Sequence, residues 1–187
     1  MSRTPFKEEV LEIIRIADSS DSEFMLQNNP AYKKFKRSKQ NGHKAEIQVL
    51  MSHLGFLEFF HESVFWANRC LHERGCDKNE RCEVFITLSL GYHGLKDYQK
   101  TMEFGQKFLD LEVDKTLVQV DQSRILSCMV DASKHLQNDE QTAKLMNMLQ
   151  WNLDLRKPDL RKNLDLRKIV GTTDFLVHKL FDLRKIF

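Results

Sequence analysis

Apolar and polar residues alternate with a helical period most clearly in residues 83–111. Apolar or small side chains recur every three or four positions on both sides of a short break at residues 94–97, which is the spacing of one helix face. These positions are Phe85, Leu88, Tyr92 and Leu95 in the first half, and Tyr98, Met102, Gly105, Phe108 and Leu109 in the second. Asp97 is suited to cap the second helix, because its carboxylate can accept from unpaired backbone N–H groups of the first turn. The segment therefore predicts two antiparallel helices joined by a short turn.

A second segment, residues 45–74, has the same organisation. Aligning Phe60 with Tyr98, an offset of 38 residues, pairs apolar residues throughout. The pairs are Ile47 with Phe85, Leu50 with Leu88, Leu54 with Tyr92, Val64 with Met102, and Leu71 with Leu109. A third, more degenerate hairpin is indicated over residues 117–149, with a turn near Asn138. Helical hairpins repeated at such a period are typical of an α-solenoid, in which neighbouring hairpins bury their apolar faces against each other.

Part of this pattern resembles the tetratricopeptide repeat (TPR), whose first helix carries an aromatic residue, Leu-Gly and Tyr, and whose second helix carries small residues. The matching residues are Phe85, Leu88, Ser89, Tyr92, Thr101 and Gly105 and, more loosely, Ile47, Leu50, Met51, Leu54, Ser63 and Ala67. Ser89 and Met51 stand where the family prefers glycine, and the offset exceeds the usual repeat of about 34 residues. The resemblance implies an all-α fold of antiparallel helix-hairpin repeats, a TPR-like α-solenoid.

The resemblance also implies a groove lined by the first helices of the hairpins, in which members of the family hold short peptides. In the best-known groove of the family, Lys, Asn and Arg side chains clamp a C-terminal carboxylate. The corresponding positions here are Gln48, Ser52, Ile86 and Leu90, none of which is a cation. We therefore expect a groove that uses apolar and polar contacts instead. The residues expected nearest to a protein or peptide partner are His53, Leu54, Tyr92 and His93.

The chain divides into three predicted regions. Residues 1–44 form an N-terminal capping helix, predicted for residues 4–17, and a basic segment. Residues 45–152 form the TPR-like helical-repeat domain. Residues 153–187 form a Leu/Arg/Lys-rich tail with a short terminal helix, and Pro158 is expected to interrupt any helix that enters this tail.

Positive charge is densest in residues 32–44. The basic patch consists of Lys33, Lys34, Lys36, Arg37 and Lys39, with the aromatic residues Tyr32 and Phe35 among them. One interpretation is a surface that binds nucleic acid, because clustered cations displace counterions from phosphates and interleaved rings can stack on bases. The other is a solvated helix whose two aromatic side chains pack inward, and we favour it because charged runs are usually ordinary surface.

The tail contains the sequence Asp-Leu-Arg-Lys four times at irregular spacing, beginning at Asp154, Asp159, Asp165 and Asp182. One stretch of it resembles a kinase-docking peptide, with basic residues followed by Leu-x-Leu. The residues of this motif are Arg161, Lys162, Leu164 and Leu166. We interpret the tail as a ligand for another protein or for the protein's own groove, which would allow self-association. The alternative is a cover over the open end of the solenoid.

Composition narrows the range of functions. The chain of 187 residues has 29 basic and 27 acidic side chains, so its net charge of +2 creates no global field that would recruit nucleic acid or a membrane. Only 7 Gly and 3 Pro interrupt it, which favours helices. It shows neither a secretory leader nor a run of about eighteen apolar residues, and its four cysteines are expected to be reduced. We expect a cytoplasmic protein, with the nucleus as the alternative.

Candidate catalytic and metal-ligating residues are sparse. The nearest approach to a zinc site is a group of four residues, Cys70, His72, Cys76 and Cys82, which lacks the paired spacing of structural zinc ligands. His61 beside Glu62, and His135 one turn after Asp131, are candidate acid/base pairs, but no nucleophile motif accompanies either. We therefore expect no enzymatic activity, no cofactor, and no catalytic or metal-binding residues.

The sequence thus predicts a non-enzymatic protein–protein interaction module or adaptor that binds a peptide or helix of a partner in a helical-repeat groove. The alternative is a nucleic-acid-associated protein that uses the basic residues of the segment 33–44.

Overall fold

A computed structural model of the protein describes residues 5–37, 44–72, 77–111 and 119–162. These described residues form nine α-helices and no strand. The helices are α1 (Pro5–Asp18), α2 (Glu23–Asn28), α3 (Pro30–Arg37), α4 (Lys44–Phe56), α5 (Phe60–His72), α6 (Lys78–Gly94), α7 (Tyr98–Leu109), α8 (Gln119–His135) and α9 (Asp139–Lys162). The all-helical fold predicted from the apolar spacing is therefore confirmed for this part of the chain.

Side-chain caps fix where α6 and α7 begin. α6 starts before the predicted hairpin because Asp77 and Glu80 form a reciprocal capping box, in which each carboxylate accepts from the other's backbone N–H. α7 starts after Asp97, whose carboxylate accepts from the backbone N–H of Lys100 at 3.2 Å. The cap predicted at Asp97 is therefore confirmed.

The chain forms two compact units, Met1–Leu149 and Gln150–Phe187. Their boundary falls inside α9, close to the predicted boundary after residue 152. α9 also continues through Pro158 to Lys162, so the interruption predicted at this proline is wrong. Proline removes one N–H from the helical ladder, but its fixed φ is itself compatible with a helix.

Four helices of the first unit form a continuous layer. α1 contacts α4, α4 contacts α6, and α6 contacts α8. α5 packs against both α4 and α6, and α7 packs against both α6 and α8. Each amphipathic helix thereby covers its apolar face with two neighbours, which a single hairpin could not provide. We call the row of α1, α4, α6 and α8 the first layer.

Three hairpin turns share one backbone geometry. Each contains a non-glycine residue with positive φ, and these residues are Glu58 at 61°, Lys96 at 60° and Gln137 at 55°. The following residue donates its N–H to the carbonyl five positions earlier, and these bonds run from Phe59 to Leu54, from Asp97 to Tyr92 and from Asn138 to Ser133, at 2.9–3.0 Å. This arrangement is the Schellman ending of a helix. Glu58 and Lys96 are related by the same offset that relates Phe60 to Tyr98 in the sequence.

Small polar residues at matched positions join the two helices of successive hairpins. The hydroxyl of Ser63 in α5 donates to the carbonyl of Met51 in α4 at 2.8 Å. In the next hairpin, the hydroxyl of Ser89 in α6 donates to the carbonyl of Thr101 in α7 at 3.2 Å. Ser89 matches Met51 and Thr101 matches Ser63 under the sequence offset, so the same two positions are bonded with donor and acceptor exchanged.

The core of the first unit consists of two clusters of buried side chains. The first draws mainly on α1 to α6 and contains both Leu50 and Leu88, each with no exposed surface. The second joins α6, α7, α8 and the start of α9 around Met129. Close packing between α5 and α6 requires Gly91, because a Cβ there would lie 2.5 Å from Cγ2 of Val64.

Candidate functional site

Side chains on the first-layer helices α4 and α6 stay partly or fully exposed at positions related by the sequence offset. In α4 these are Val49, Ser52 and Phe56, which follow the i, i+3, i+7 spacing of one helix face. Val49 is 39% exposed and Phe56 is 62% exposed. Exposed apolar side chains mark an interaction surface when they form a contiguous patch, whereas single ones are ordinary.

In α6 the equivalent residues are Thr87 and Leu90, and both are only partly buried. Thr87 is two residues from Ser89, and Leu90 is two residues from Tyr92, so each pair lies on nearly opposite sides of the helix. The side chains of Ser89 and Tyr92 contact α7. α6 is flanked by α4 on one side and by α8 on the other. The central helix therefore carries a half-buried stripe between two more exposed ones.

In α8 the matching stripe is charged, and its exposed members are Arg124, Asp131 and His135. We call the combined surface the first-layer face. It is formed by Val49, Ser52, Phe56, Thr87, Leu90, Arg124, Asp131 and His135. Its flank on α4 is apolar, its floor on α6 is mixed, and its other flank, on α8, is polar.

A shared carboxylate ties α6 to α8 at one end of this face. Asp131 Oδ2 lies 2.9 Å from Nε2 of His93 and 3.8 Å from Nε2 of His135. The ring of Tyr98 stacks on the His135 ring with a centroid separation of 4.2 Å. His93 and His135 each occupy the last turn of their helix. The predicted pair of His135 and Asp131 is thus part of a contact that joins three helices.

The four residues predicted to lie nearest to a partner are not brought together. Leu54 is fully buried in the core and offers no surface. Tyr92 stacks on Phe104 and its hydroxyl accepts from Asn68, so it lies between helices. His53 faces α1, where its Nε2 is 2.7 Å from a carboxylate oxygen of Asp18. Of the four, only His93 borders the first-layer face.

The basic segment forms α3, and its aromatic residues point inward. Tyr32 and Phe35 are buried, as the solvated-helix interpretation predicts. Lys33, Lys34 and Arg37 are exposed, whereas Lys36 turns toward α5. Lys39, the last member of the predicted patch, lies outside the described residues.

A buried polar network holds Lys36 in place. The ammonium of Lys36 donates to both carboxylate oxygens of Glu62, at 2.8 and 2.6 Å, and Glu62 is only 1% exposed. The hydroxyl of Tyr32 donates to the same carboxylate and accepts from the indole N–H of Trp66 at 2.8 Å. Burial, reinforced by the hydrogen bond to Glu62, raises the pKa of Tyr32 well above its ordinary value. The network fixes α3 against α5.

The side chains of the candidate acid/base pair His61 and Glu62 have other partners. His61 Nδ1 instead lies 2.9 Å from one oxygen of Glu23, and the backbone N–H of Glu62 donates to the other oxygen at 2.7 Å. Glu23 of α2 therefore caps the first turn of α5 from another helix. The sequence signal for a buried Glu62 was its position between Phe59 and Trp66 on the apolar face of α5.

The remaining candidates do not assemble into a metal site within the described residues. The thiols of Cys70 and Cys82 are buried separately, and Cys76 lies outside this part of the chain. No group of three or more His, Cys, Asp or Glu side chains suited to a metal ion occurs in the described part of the chain. Burial raises the pKa of the Cys128 thiol.

The docking-like motif of the tail is described only in part. Arg161 and Lys162 close α9, and Leu164 and Leu166 lie outside the described residues. Among the helices that are described, none is both long enough and apolar enough to cross a bilayer. Comparison of the chain with protein-family models, with curated proteins and with solved structures finds no match.

Proposed function

We propose that this protein is a non-enzymatic interaction module, built from TPR-like helical hairpins, that holds a peptide or helix of a partner protein on its first-layer face. The observation that carries the proposal is the graded exposure of three matched stripes. The stripe on α4 exposes Val49 and Phe56, the stripe on α6 is half-buried around Leu90, and the stripe on α8 is charged. A shallow groove with α6 as its floor has this distribution of exposure.

The repeat interpretation is supported by the turns and by the small polar contacts. Schellman endings at Glu58 and Lys96 recur at the offset of the sequence repeat, and a third occurs at Gln137. Stacked hairpins bury a continuous core only when neighbours pack in register. The order of contacts along the first layer, from α1 through α4 and α6 to α8, is the order that such stacking produces.

The chemistry of the face suggests an amphipathic partner. Phe56 and Val49 can cover one or two apolar side chains, and Leu90 extends this apolar surface onto the floor. The flank on α8 is polar, with Arg124 and Asp131 at its surface. A partner helix with an apolar stripe facing α4 and charged residues facing α8 fits this arrangement.

The nucleic-acid alternative loses two of the features that suggested it. Tyr32 and Phe35 are buried and cannot stack on bases, and Lys36 is bound to Glu62. A partner protein is therefore the better-supported ligand.

Site-specific photo-crosslinking tests the proposal. A benzophenone side chain placed at Ser52 or Leu90 should form a discrete adduct with a polypeptide from cell extract, whereas the same group at the exposed Gln99 of α7 should not. Substituting Phe56→Ser in the Ser52 crosslinking variant should abolish the adduct while the circular dichroism spectrum is unchanged. Equal adduct formation from Gln99, or none from Ser52 and Leu90, would refute the proposal.

A further inference from the structure

We infer that α3 and α5 form a second docking surface, which recognises a short acidic segment of a partner protein that also carries an aromatic or aliphatic side chain. This surface shares no residue with the first-layer face. It rests on an uneven distribution of charge and on one exposed aromatic ring.

Helices α3 and α5 carry an excess of positive charge relative to the chain as a whole. Their sequences, PAYKKFKR and FHESVFWANRCLH, contain Lys33, Lys34, Lys36, Arg37 and Arg69 as basic residues and one acidic residue. The whole chain has a net charge of only +2. The acidic residue, Glu62, is buried and bound by Lys36, so it faces away from solvent. A locally positive surface attracts acidic segments even when the net charge of the protein is small.

The outward cations are available to a ligand. Lys33, Lys34 and Arg37 are exposed on neighbouring faces of α3. Lys33 donates to the amide oxygen of Asn28 at 3.0 Å, and none of the three makes an ion pair within the described part of the chain. Cations without carboxylate partners are the groups that gain most from an acidic ligand.

An aromatic ring lies beside Lys36, the neighbour of Arg37 in α3. Phe65 of α5 is 37% exposed, and the Lys36 ammonium sits 4.1 Å from its ring centroid. The ring also packs edge-on against Trp66, whose other neighbour is the Arg69 guanidinium at 5.1 Å. The partly exposed ring gives an apolar contact next to the Lys36 ammonium, so a ligand should combine carboxylates with one apolar side chain.

The dimensions of the cluster favour a peptide over a nucleic acid. The three outward cations, Lys33 to Arg37, span four residue steps of helix, which is about 6 Å along the axis. Carboxylates on one face of an extended peptide repeat at about 7 Å, so two of them match the length of this cluster. Nucleic-acid-binding surfaces usually contact about six to ten phosphates, and the neighbouring rings that could stack on bases are buried.

Fluorescence anisotropy with defined probes tests the inference. The peptide probe is a fluorescein-labelled dodecapeptide with glutamates flanking a single phenylalanine, and the nucleic-acid probe is a labelled twelve-residue oligothymidylate. The intact protein should bind the peptide more tightly than the oligonucleotide. The K33E/K34E/R37E variant should weaken peptide binding about tenfold or more, because three favourable charge contacts become repulsive.

A matched control separates this surface from general charge. The K96E/K134E/K144E variant changes the net charge equally at exposed lysines elsewhere, and it should keep peptide affinity within about twofold. The milder K34A/R37A variant repeats the test if the triple variant lowers the thermal midpoint. Equal weakening by both triple variants, tighter binding of the oligonucleotide, or no measurable peptide binding would each overturn the inference.

Discussion

Removing the ammonium of Lys36 leaves the Glu62 carboxylate buried with no cation beside it. Lys36→Met keeps most of the stem that packs near Phe65 and removes the charge. Breaking a buried ion pair by deleting one partner costs about 3–5 kcal/mol, because the remaining charge is uncompensated. The side chain of Lys36 is itself 31% exposed, so water can screen part of this cost and we expect about 2–3 kcal/mol. The hydroxyl of Tyr32 still donates to the carboxylate, which supports the lower part of this range.

A double-mutant cycle isolates the pair. Glu62→Gln removes the negative charge and keeps an oxygen that can accept from Tyr32. The Lys36→Met/Glu62→Gln protein should therefore be more stable than the Lys36→Met protein, with a coupling energy of about 1–2 kcal/mol. Urea unfolding followed by circular dichroism gives the four free energies. Additive effects, with coupling below about 0.5 kcal/mol, would show that the buried pair does not hold α3 against α5.

Three further predictions follow from the structure. Tyrosine in the unfolded chain loses its proton near pH 10.0, whereas folded Tyr32 keeps it. The contribution of Tyr32 to the free energy of unfolding should therefore be fully present below about pH 10 and fall by up to about 1.4 kcal/mol per pH unit above it. The Tyr32→Phe protein should lack this extra loss in urea titrations at alkaline pH. Lys96→Gly should stabilise by about 0.5–1 kcal/mol in thermal unfolding, because the positive φ strains a residue that has a Cβ, and no gain would argue against the Schellman geometry. Gly91→Ala should destabilise by about 1–2 kcal/mol in spite of alanine's higher helix propensity, because the new methyl group meets Val64; adding Val64→Ala should recover part of the loss.

The apolar spacing predicted the helical hairpins well because it shows which side of each helix is buried against its sequence neighbours. The hairpin predicted within residues 83–111 corresponds to α6 and α7, and Asp97 caps α7 as expected. The repeat interpretation itself stays a prediction, although the turns at Glu58 and Lys96 agree with its offset. The spacing of apolar residues does not determine how many hairpins stack in register, because stacking depends on contacts between segments that are distant in the sequence.

The candidate site was harder to predict because it depends on long-range partners. The pattern placed Tyr92 at the groove, whereas Phe104 on α7 holds it between helices. It treated Lys36 as surface charge, because its partner Glu62 lies on a helix that is distant in sequence. A carboxylate on an otherwise apolar helix face was the available signal, and such residues are almost always paired when buried.

The affinity of the captured partner for a Leu90→Arg variant tests the central claim most directly. Arginine at this position adds a charge to the half-buried floor of the first-layer face without entering the core. We predict that the partner crosslinked at Ser52 binds this variant about tenfold or more weakly, while a Lys144→Glu variant binds it normally. Unchanged affinity in a Leu90→Arg protein that retains its thermal midpoint would contradict the assignment of this face as the binding surface.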